Sequence, residues 1–133
     1  MLAITSKSPY AVRALAELAS RGSDQPVPIG ELARSRDIPP QFLEGLFATL
    51  RRAGVLQSQR GVKGGYLFAR PPTEVTVLEV VELLEGELGA EAAEAGPVWV
   101  DASEAIRGVL RSTTIADVVE REARAGAQPM YYI

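Results

Sequence analysis

The sequence predicts a mainly α-helical chain that carries one small β-hairpin. Three observations support this fold class: apolar residues recur at helical spacing before residue 55, a glycine-rich loop then separates two short apolar runs, and helical patterns resume after residue 76. A recurrence at every third or fourth residue places side chains on one face of a helix. With 133 residues and 47% hydrophobic content, the chain is long enough to bury one core.

Three helices are predicted before the hairpin. Ser8 and Pro9 suit the start of the first helix, as a hydroxyl cap and a first-turn proline, and Gly22 suits its end. A short helix follows in IGELARSR (29–36), and a third in QFLEGLFATLRRAG (41–54). The apolar face of the third helix is the clearest, comprising Leu43, Leu46, Phe47 and Leu50. A short connection between the second and third helices predicts a helix-turn-helix.

The predicted hairpin follows directly. The strands are VLQSQ (55–59) and YLFA (66–69), and the loop between them is RGVKGG (60–65). A helix-turn-helix followed by a hairpin is a winged helix, in which the hairpin is the wing. Thr76 and Glu79 then form a capping box for a further helix that Gly86 ends, so residues 1–86 are assigned to one winged helix-turn-helix domain.

The second half is predicted to contain a long dimerisation helix. Residues 87–97 have Leu88 as their only large apolar side chain, apart from proline, so a mobile loop or a frayed helix is expected there. Residues 98–122 are assigned to dimerisation helices, with Thr114 and Asp117 as a capping pair, and residues 123–133 to a C-terminal tail. The predicted homodimer contacts are Trp99, Ala102, Ile106 and Leu110.

The charge distribution favours a polyanionic partner for the first half. Residues 1–72 hold ten basic and five acidic residues, a net charge of +5, whereas residues 73–133 hold four and twelve, a net charge of −8. Basic residues on the outer face of the third helix and in the wing favour DNA. Either feature alone is equally consistent with a solvated surface. Arg60 and Lys63 in the wing are expected to meet phosphates or a minor groove.

Missing residue types exclude several functions. The chain has no cysteine and no histidine, which excludes disulfides, zinc and iron–sulfur sites built on these ligands, and nucleophilic catalysis by Cys or a Ser–His–Asp triad. The prediction is therefore a protein that is not an enzyme and has no cofactor and no metal. No apolar run reaches the roughly 20 residues of a membrane span, and the start lacks a signal-peptide pattern, so a cytoplasmic location is expected.

The segments TSKSPYAVRALAELA, FLEGLFATLRRAGVLQSQRGVKGGYLFARPP and VTVLEVVELLEG resemble the Rrf2 family of dimeric bacterial winged-helix transcription regulators, of the IscR, NsrR and CymR kind. The resemblance implies that the third helix lies in the major groove and that the wing engages the backbone or minor groove. With Arg52 added from the outer face of the third helix, the predicted contacts to double-stranded DNA are Lys7, Tyr10, Gln41, Glu44, Arg51, Arg52, Arg60 and Lys63. Ser8-Pro9 replaces the usual Gly-Arg, and Gly45 replaces a common glutamine, so base preference is expected to differ.

Many family members hold an iron–sulfur cluster on three cysteines, and the corresponding segment here, GAEAAEAGPVW, has none. The segment VWVDASEAIRGVLRSTTIADVVE and the ending MYYI resemble the cluster-free CymR branch, which represses cysteine metabolism. That resemblance implies complex formation with cysteine synthase, the O-acetylserine (thiol)-lyase, whose active site accepts peptide tails that end in isoleucine. The partner-binding residues would be Tyr131, Tyr132 and Ile133. The alternative is that these side chains pack within the dimer.

The sequence thus predicts a dimeric repressor of cysteine and sulfur metabolism genes. Two alternatives stay open. One is a cluster-free regulator of another stress or metabolic regulon that responds to a small-molecule effector. The other is a winged-helix protein–protein adaptor that does not bind DNA.

Overall fold

A computed structural model describes residues 4–22 and 24–127 and has the predicted architecture, mostly helical with a two-stranded antiparallel hairpin. The elements, in chain order, are α1 (Lys7–Ser20), α2 (Ile29–Arg36), α3 (Pro40–Arg52), β1 (Leu56–Gln59), β2 (Gly65–Phe68), a 3-10 turn (Pro72–Glu74), α4 (Val77–Glu85), α5 (Ala92–Ala95), α6 (Pro97–Arg111) and α7 (Ile115–Ala127). None of the described helices is both long enough and apolar enough to cross a membrane.

The core is centred on α3. Its four predicted core residues are all buried, and α1, α2 and α4 pack around them. Phe47 is completely buried and meets the ring of Tyr66 edge-on, with 5.2 Å between ring centroids. Burying an apolar side chain of this size stabilises a fold by about 1.5–3 kcal/mol. This packing fixes the orientation of α3 relative to the hairpin.

The start of α1 differs from the prediction. The helix begins at Lys7, one residue before the expected cap, and Ser6 is the N-cap residue without a side-chain capping bond. Ser8 lies inside the first turn, is buried, and donates its hydroxyl to the Glu85 carboxylate at the end of α4. Ser8 is therefore not the cap, because its hydroxyl is bonded to another helix. The predicted end is confirmed, since Gly22 has a φ of +54° and follows the last turn.

The hairpin is extended by a third segment. In the β1–β2 register Gln59 faces Gly65, so the connecting loop is residues 60–64, one residue shorter than predicted. Val27, in the connection before α2, forms a bridge with Tyr66 through two backbone hydrogen bonds of 3.0 and 2.9 Å. The base of the wing is thus bonded to the connection that leads into the helix-turn-helix.

One of the two hydrogen bonds of the capping box predicted for α4 is present. The Thr76 hydroxyl accepts a hydrogen bond from the Glu79 N–H at 3.1 Å. The Glu79 side chain does not complete a reciprocal capping box, because its carboxylate pairs with Arg70 near the end of the wing. Gly86, with a φ of +88°, ends the helix as predicted.

Residues 87–97 contain a short helix that packs on α6. Leu88 and Ala92 are buried, and Gly89 approaches α6 so closely that a Cβ there would lie 2.5 Å from the Cβ of Ser103. Arg107 of α6 pairs with Glu82 of α4 and so connects α6 to α4. The segment is therefore held by specific contacts, which its small residues did not predict.

The C-terminal helix α7 returns to the first half of the chain. Thr114 and Asp117 form the predicted capping pair, with reciprocal bonds of 2.9 and 3.0 Å. Arg36 at the end of α2 pairs at 2.9 Å with both Glu17 of α1 and Glu122 of α7. The Arg36 hydrogen bond holds the pKa of Glu17 below its usual value, so this ion pair persists at moderately acidic pH. α7 runs to Ala127, so residues 123–127, which were assigned to the tail, are helical.

Candidate nucleic-acid interface

The outer face of α3 exposes the two residues predicted to read bases. Gln41 and Glu44 are both exposed and lie one turn apart, and Gly45 beside them is also exposed. The 13-residue helix is about 20 Å long at 1.5 Å per residue, and the major groove of B-DNA is about 12 Å wide. The exposed face of α3 thus has the dimensions and the side chains of a recognition helix.

The start of α1 is joined to the start of α3 through aromatic rings. Tyr10 meets Phe42 edge-on at 5.6 Å between ring centroids, and Phe42 directly follows Gln41. The Arg13 guanidinium lies 6.0 Å from the Tyr10 ring centroid and donates to the Arg36 carbonyl at 2.6 Å. The structure therefore brings Tyr10 to the end of α3 that carries Gln41. Sequence reasoning missed Arg13, although its spacing of three residues from Tyr10 placed both on one helix face.

The wing presents its cations on a loop whose conformation requires glycine at two positions. Arg60, Val62 and Lys63 are exposed, and Val62 is completely so. A Cβ on Gly64 would lie 2.4 Å from the Gln59 carbonyl oxygen, and a Cβ on Gly65 would lie 2.3 Å from the Val27 carbonyl oxygen. Both distances are far inside van der Waals contact. The glycines therefore permit a tight loop that is fastened to the connection before α2.

Gly65→Ala is expected to disturb the wing and leave the helical core folded. The added methyl group clashes with backbone, and the residue has a φ of +153°, so the bridge between Val27 and Tyr66 must open. Gly45→Ala is the matched control, because a Cβ at Gly45 meets nothing within 4 Å. Amide hydrogen exchange should show faster exchange at Val27 and Tyr66 in the first variant only. Unchanged exchange at these amides would contradict the interpretation.

Exposed cations without an ion pair are concentrated on the candidate interface. In the described part of the chain, five candidates are exposed and lie beyond ion-pairing distance of any carboxylate: Lys7, Arg51, Arg52, Arg60 and Lys63. The arginines that do pair with carboxylates are Arg21, Arg36, Arg70, Arg107 and Arg124. Four further arginines of the described residues are exposed and form no ion pair: Arg13, Arg34, Arg111 and Arg121. Six of these nine cations lie on α1, α3 and the wing, which concentrates positive charge where a polyanion would bind.

The predicted dimerisation stripe divides into two sets on α6. Ile106 and Leu110 are half-buried and pack against the core of their own chain. Trp99 is 45% exposed, and Val98 and Val109, which the sequence did not single out, are 67% and 59% exposed. Val98, Ala102, Ala105 and Val109 follow one another at spacings of four, three and four residues, and Trp99 lies next to Val98, so this spacing was the sequence signal for a shared helix face. We call Val98, Trp99, Ala102, Ala105 and Val109 the α6 stripe.

The predicted partner-binding tail cannot be compared with the structure. The tail residues Tyr131, Tyr132 and Ile133 lie outside the described residues. Among residues 4–22 and 24–127 no cluster of three or more acidic side chains is arranged to hold a metal ion.

A winged helix with unpaired cations on its recognition helix and wing belongs to the class of DNA-binding transcription regulators. The family model that matches is Rrf2, described as "Iron-dependent Transcriptional regulator", and it covers residues 4–121. The chain therefore belongs to the Rrf2 family, as its sequence predicted.

Relatives and solved structures agree with this assignment. The chain is 36% identical over 128 residues to Rv1287 of Mycobacterium tuberculosis, spanning 86% of this chain and 80% of the relative. It is 32% identical over 131 residues to the HTH-type transcriptional regulator IscR of Serratia proteamaculans, spanning 90% and 80%. The structure of CymR (YrzC), the global cysteine regulator of B. subtilis, matches with a TM-score of 0.81 at 29% identity, covering 91% of this chain and 98% of that one. The structure of T. potens IscR matches with a TM-score of 0.80 at 32% identity, covering 99% and 97%.

Proposed function

We propose that the chain acts as a homodimeric repressor that binds double-stranded DNA through α1, α3 and the wing. The observation that carries the proposal is the set of exposed, unpaired cations on these three elements. α3 packs on α1 through Phe42 and Tyr10 and on the wing through Phe47 and Tyr66, so the three elements that carry the cations are held together through α3. Membership in a family of transcription regulators supports the same function.

The contacts divide into two roles. Gln41 and Glu44 are placed to read base edges, because a glutamine pairs with adenine and a carboxylate accepts a hydrogen bond from the cytosine amino group. Lys7, Arg51, Arg52, Arg60 and Lys63 are placed to bind phosphates, which supply affinity without sequence preference. Tyr10 supports the start of α3 through Phe42 and adds its own hydroxyl as a polar contact.

A gel shift with genomic and random DNA fragments at two salt concentrations tests this proposal. A regulator retards selected genomic fragments more strongly than random ones, and both complexes weaken as salt rises. Absence of any shift at low salt would favour the protein–protein adaptor instead. The adaptor explains the fold but gives no role to the unpaired cations on both α3 and the wing.

For the regulated genes, we propose cysteine and sulfur metabolism, with control by complex formation with cysteine synthase. Support comes from the CymR neighbour and from the resemblance of segments 98–120 and 130–133 to that branch. The chain also lacks the cysteine and histidine ligands that an iron–sulfur or zinc sensor requires. Cysteine-synthase or sulfur-assimilation genes beside its own gene would support this regulon, and an unrelated neighbourhood would favour another regulon with a small-molecule effector.

Deleting Tyr132 and Ile133 is expected to abolish binding to cysteine synthase from the same cell and to leave DNA affinity within about threefold. A free C-terminal carboxylate is held by backbone N–H groups of a receptor while the last side chain fills a pocket. Calorimetry of the full-length and shortened proteins against purified synthase measures the change. Equal binding by both proteins would contradict the tail mechanism. Loss of dimerisation on truncation would show instead that the tail packs in the dimer.

A further inference from the structure

Glu85 is hydrogen-bonded to the start of a helix to which it does not belong. It is the last residue of α4, and its carboxylate accepts hydrogen bonds from the Thr5 N–H at 2.7 Å and from the Ser8 hydroxyl. Both donors lie at the N-terminus of α1, where Ser6 provides no side-chain cap of its own. The first N–H groups of a helix have no partner within the helix and carry partial positive charge. A carboxylate from 77 residues away thus holds the residues on both sides of Lys7, whose own N–H donates to the Thr5 hydroxyl at 3.2 Å.

The contact is both sheltered and charged. Ser8 is 2% exposed, so its hydroxyl has no access to bulk water as an alternative partner. Desolvation by burial acts to raise the pKa of Glu85, but the hydrogen bonds from Ser8 and Thr5 outweigh it and hold the pKa below its usual value. Glu85 is therefore ionised at neutral pH, and an ionised acceptor makes the stronger bond.

The residues next to this contact are candidate DNA contacts. Lys7 lies between the two bonded residues, Thr5 and Ser8, and Tyr10 lies one turn further along α1. Lys7 is exposed and unpaired in the described structure, and the two residues that Glu85 holds lie on either side of it in the chain. Fixing the segment before Lys7 removes conformational freedom that DNA binding would otherwise have to remove.

We propose that Glu85 is a positioning residue for DNA binding, which acts by holding the N-terminus of α1 so that Lys7 reaches a phosphate. The proposal rests on the proposed function. A carboxylate near DNA is ordinarily unfavourable because it repels phosphate. For Glu85 the expected effect on DNA affinity is the opposite. Its charge is directed into the start of α1, and its loss would free Lys7 from the position in which it reaches a phosphate.

A double-mutant cycle with Lys7→Ala and Glu85→Gln tests the proposal by DNA binding at several salt concentrations. Lys7→Ala removes one phosphate contact per protomer, which reduces the log–log salt slope of a dimer by about 2. We expect Glu85→Gln to reduce the slope and affinity by a similar amount, and the double variant to bind no more weakly than Lys7→Ala. Ser8→Ala, which removes the partner hydroxyl, should change the slope in the same direction.

Glu87→Gln is the matched control, because it removes the same charge two residues later from an exposed side chain. It should bind slightly more tightly than wild type or equally. A Glu85→Gln protein that binds like this control would overturn the proposal, and so would a slope change that adds to that of Lys7→Ala. A thermal melt separates stability from binding, because a purely structural role lowers the melting temperature without changing the slope of the folded protein. Failure of wild type to bind DNA would instead refute the proposed function.

Discussion

Val109→Asp is expected to convert the protein from a dimer into a monomer at micromolar concentration. Val109 is 59% exposed in the single chain and lies in the α6 stripe with Trp99 and Val98. If two copies pair through this stripe, the variant carboxylate is taken out of water without a partner, which costs several kcal/mol. Ala102 and Ala105 lie between the larger side chains and permit close approach of two helices. Light scattering measures the mass directly.

Val62→Asp is the matched control for this prediction. It makes the same substitution at another exposed valine, at the tip of the wing, where no dimer contact is expected. The control should remain a dimer and lose DNA affinity, whereas the α6 variant should lose both the dimer and the tight binding that two half-sites provide. Wild-type protein that is already monomeric at micromolar concentration would refute the dimer proposal and the expectation of a palindromic operator.

The affinity of the dimer for duplex DNA is expected to fall steeply with salt, with a log–log slope of about −5 to −7. The estimate assumes that each protomer places three or four of the five candidate cations (Lys7, Arg51, Arg52, Arg60 and Lys63) on phosphates, so that a dimer makes roughly 6–8 contacts at a slope of about −0.9 per contact. Arg60→Ala should weaken binding to all sequences alike and make the slope shallower by about 2. Gln41→Ala should change the preference among sequences and leave the slope unchanged, because it contacts bases.

Arg124→Ala serves as the control for charge. Arg124 is an exposed cation that already pairs with Glu120 at 3.1 Å on α7, so its loss should leave the slope unchanged. Fluorescence anisotropy over a range of potassium chloride concentrations gives all the slopes. A slope near zero for wild type would refute DNA binding as the function, and equal effects of the Arg60 and Arg124 variants would show that only net charge matters.

The features of the fold that depend on residues close together in the sequence were predicted correctly. The apolar face of α3, the Thr114–Asp117 cap and the turn at Gly22 each depend on spacings of a few residues, and the structure confirms all three. Ser8 shows the limit of this reasoning. Its hydroxyl and its position before Pro9 suited an N-cap, but its partner is Glu85. No local sequence pattern reveals a contact between residues 77 positions apart.

The candidate site could be predicted only in part, because part of it depends on contacts between distant segments. A helical period shows which residues share a face, but not which face the rest of the chain covers, so Ile106 and Leu110 were grouped with Trp99 although they pack inward. The sequence left a mobile loop or a frayed helix open for residues 87–97, because the contacts that hold this segment, through the buried Leu88 and Ala92, depend on the tertiary structure. The cations of α3 and the wing were found, whereas their lack of carboxylate partners required coordinates.

The ion pairs of Arg36 hold α7 beside the helix-turn-helix. Although α7 follows α6 in sequence, Glu122 bonds to the last residue of α2, just before the turn of the helix-turn-helix. The last described residue, Ala127, is five residues further, about 8 Å along the helix. A partner that bound the segment after Ala127, as proposed above, would therefore attach to a helix that is ion-paired to the helix-turn-helix of the same protomer. We infer that such a partner would weaken or stabilise the complex with DNA by direct steric contact. No conformational change relayed through α6 would be needed.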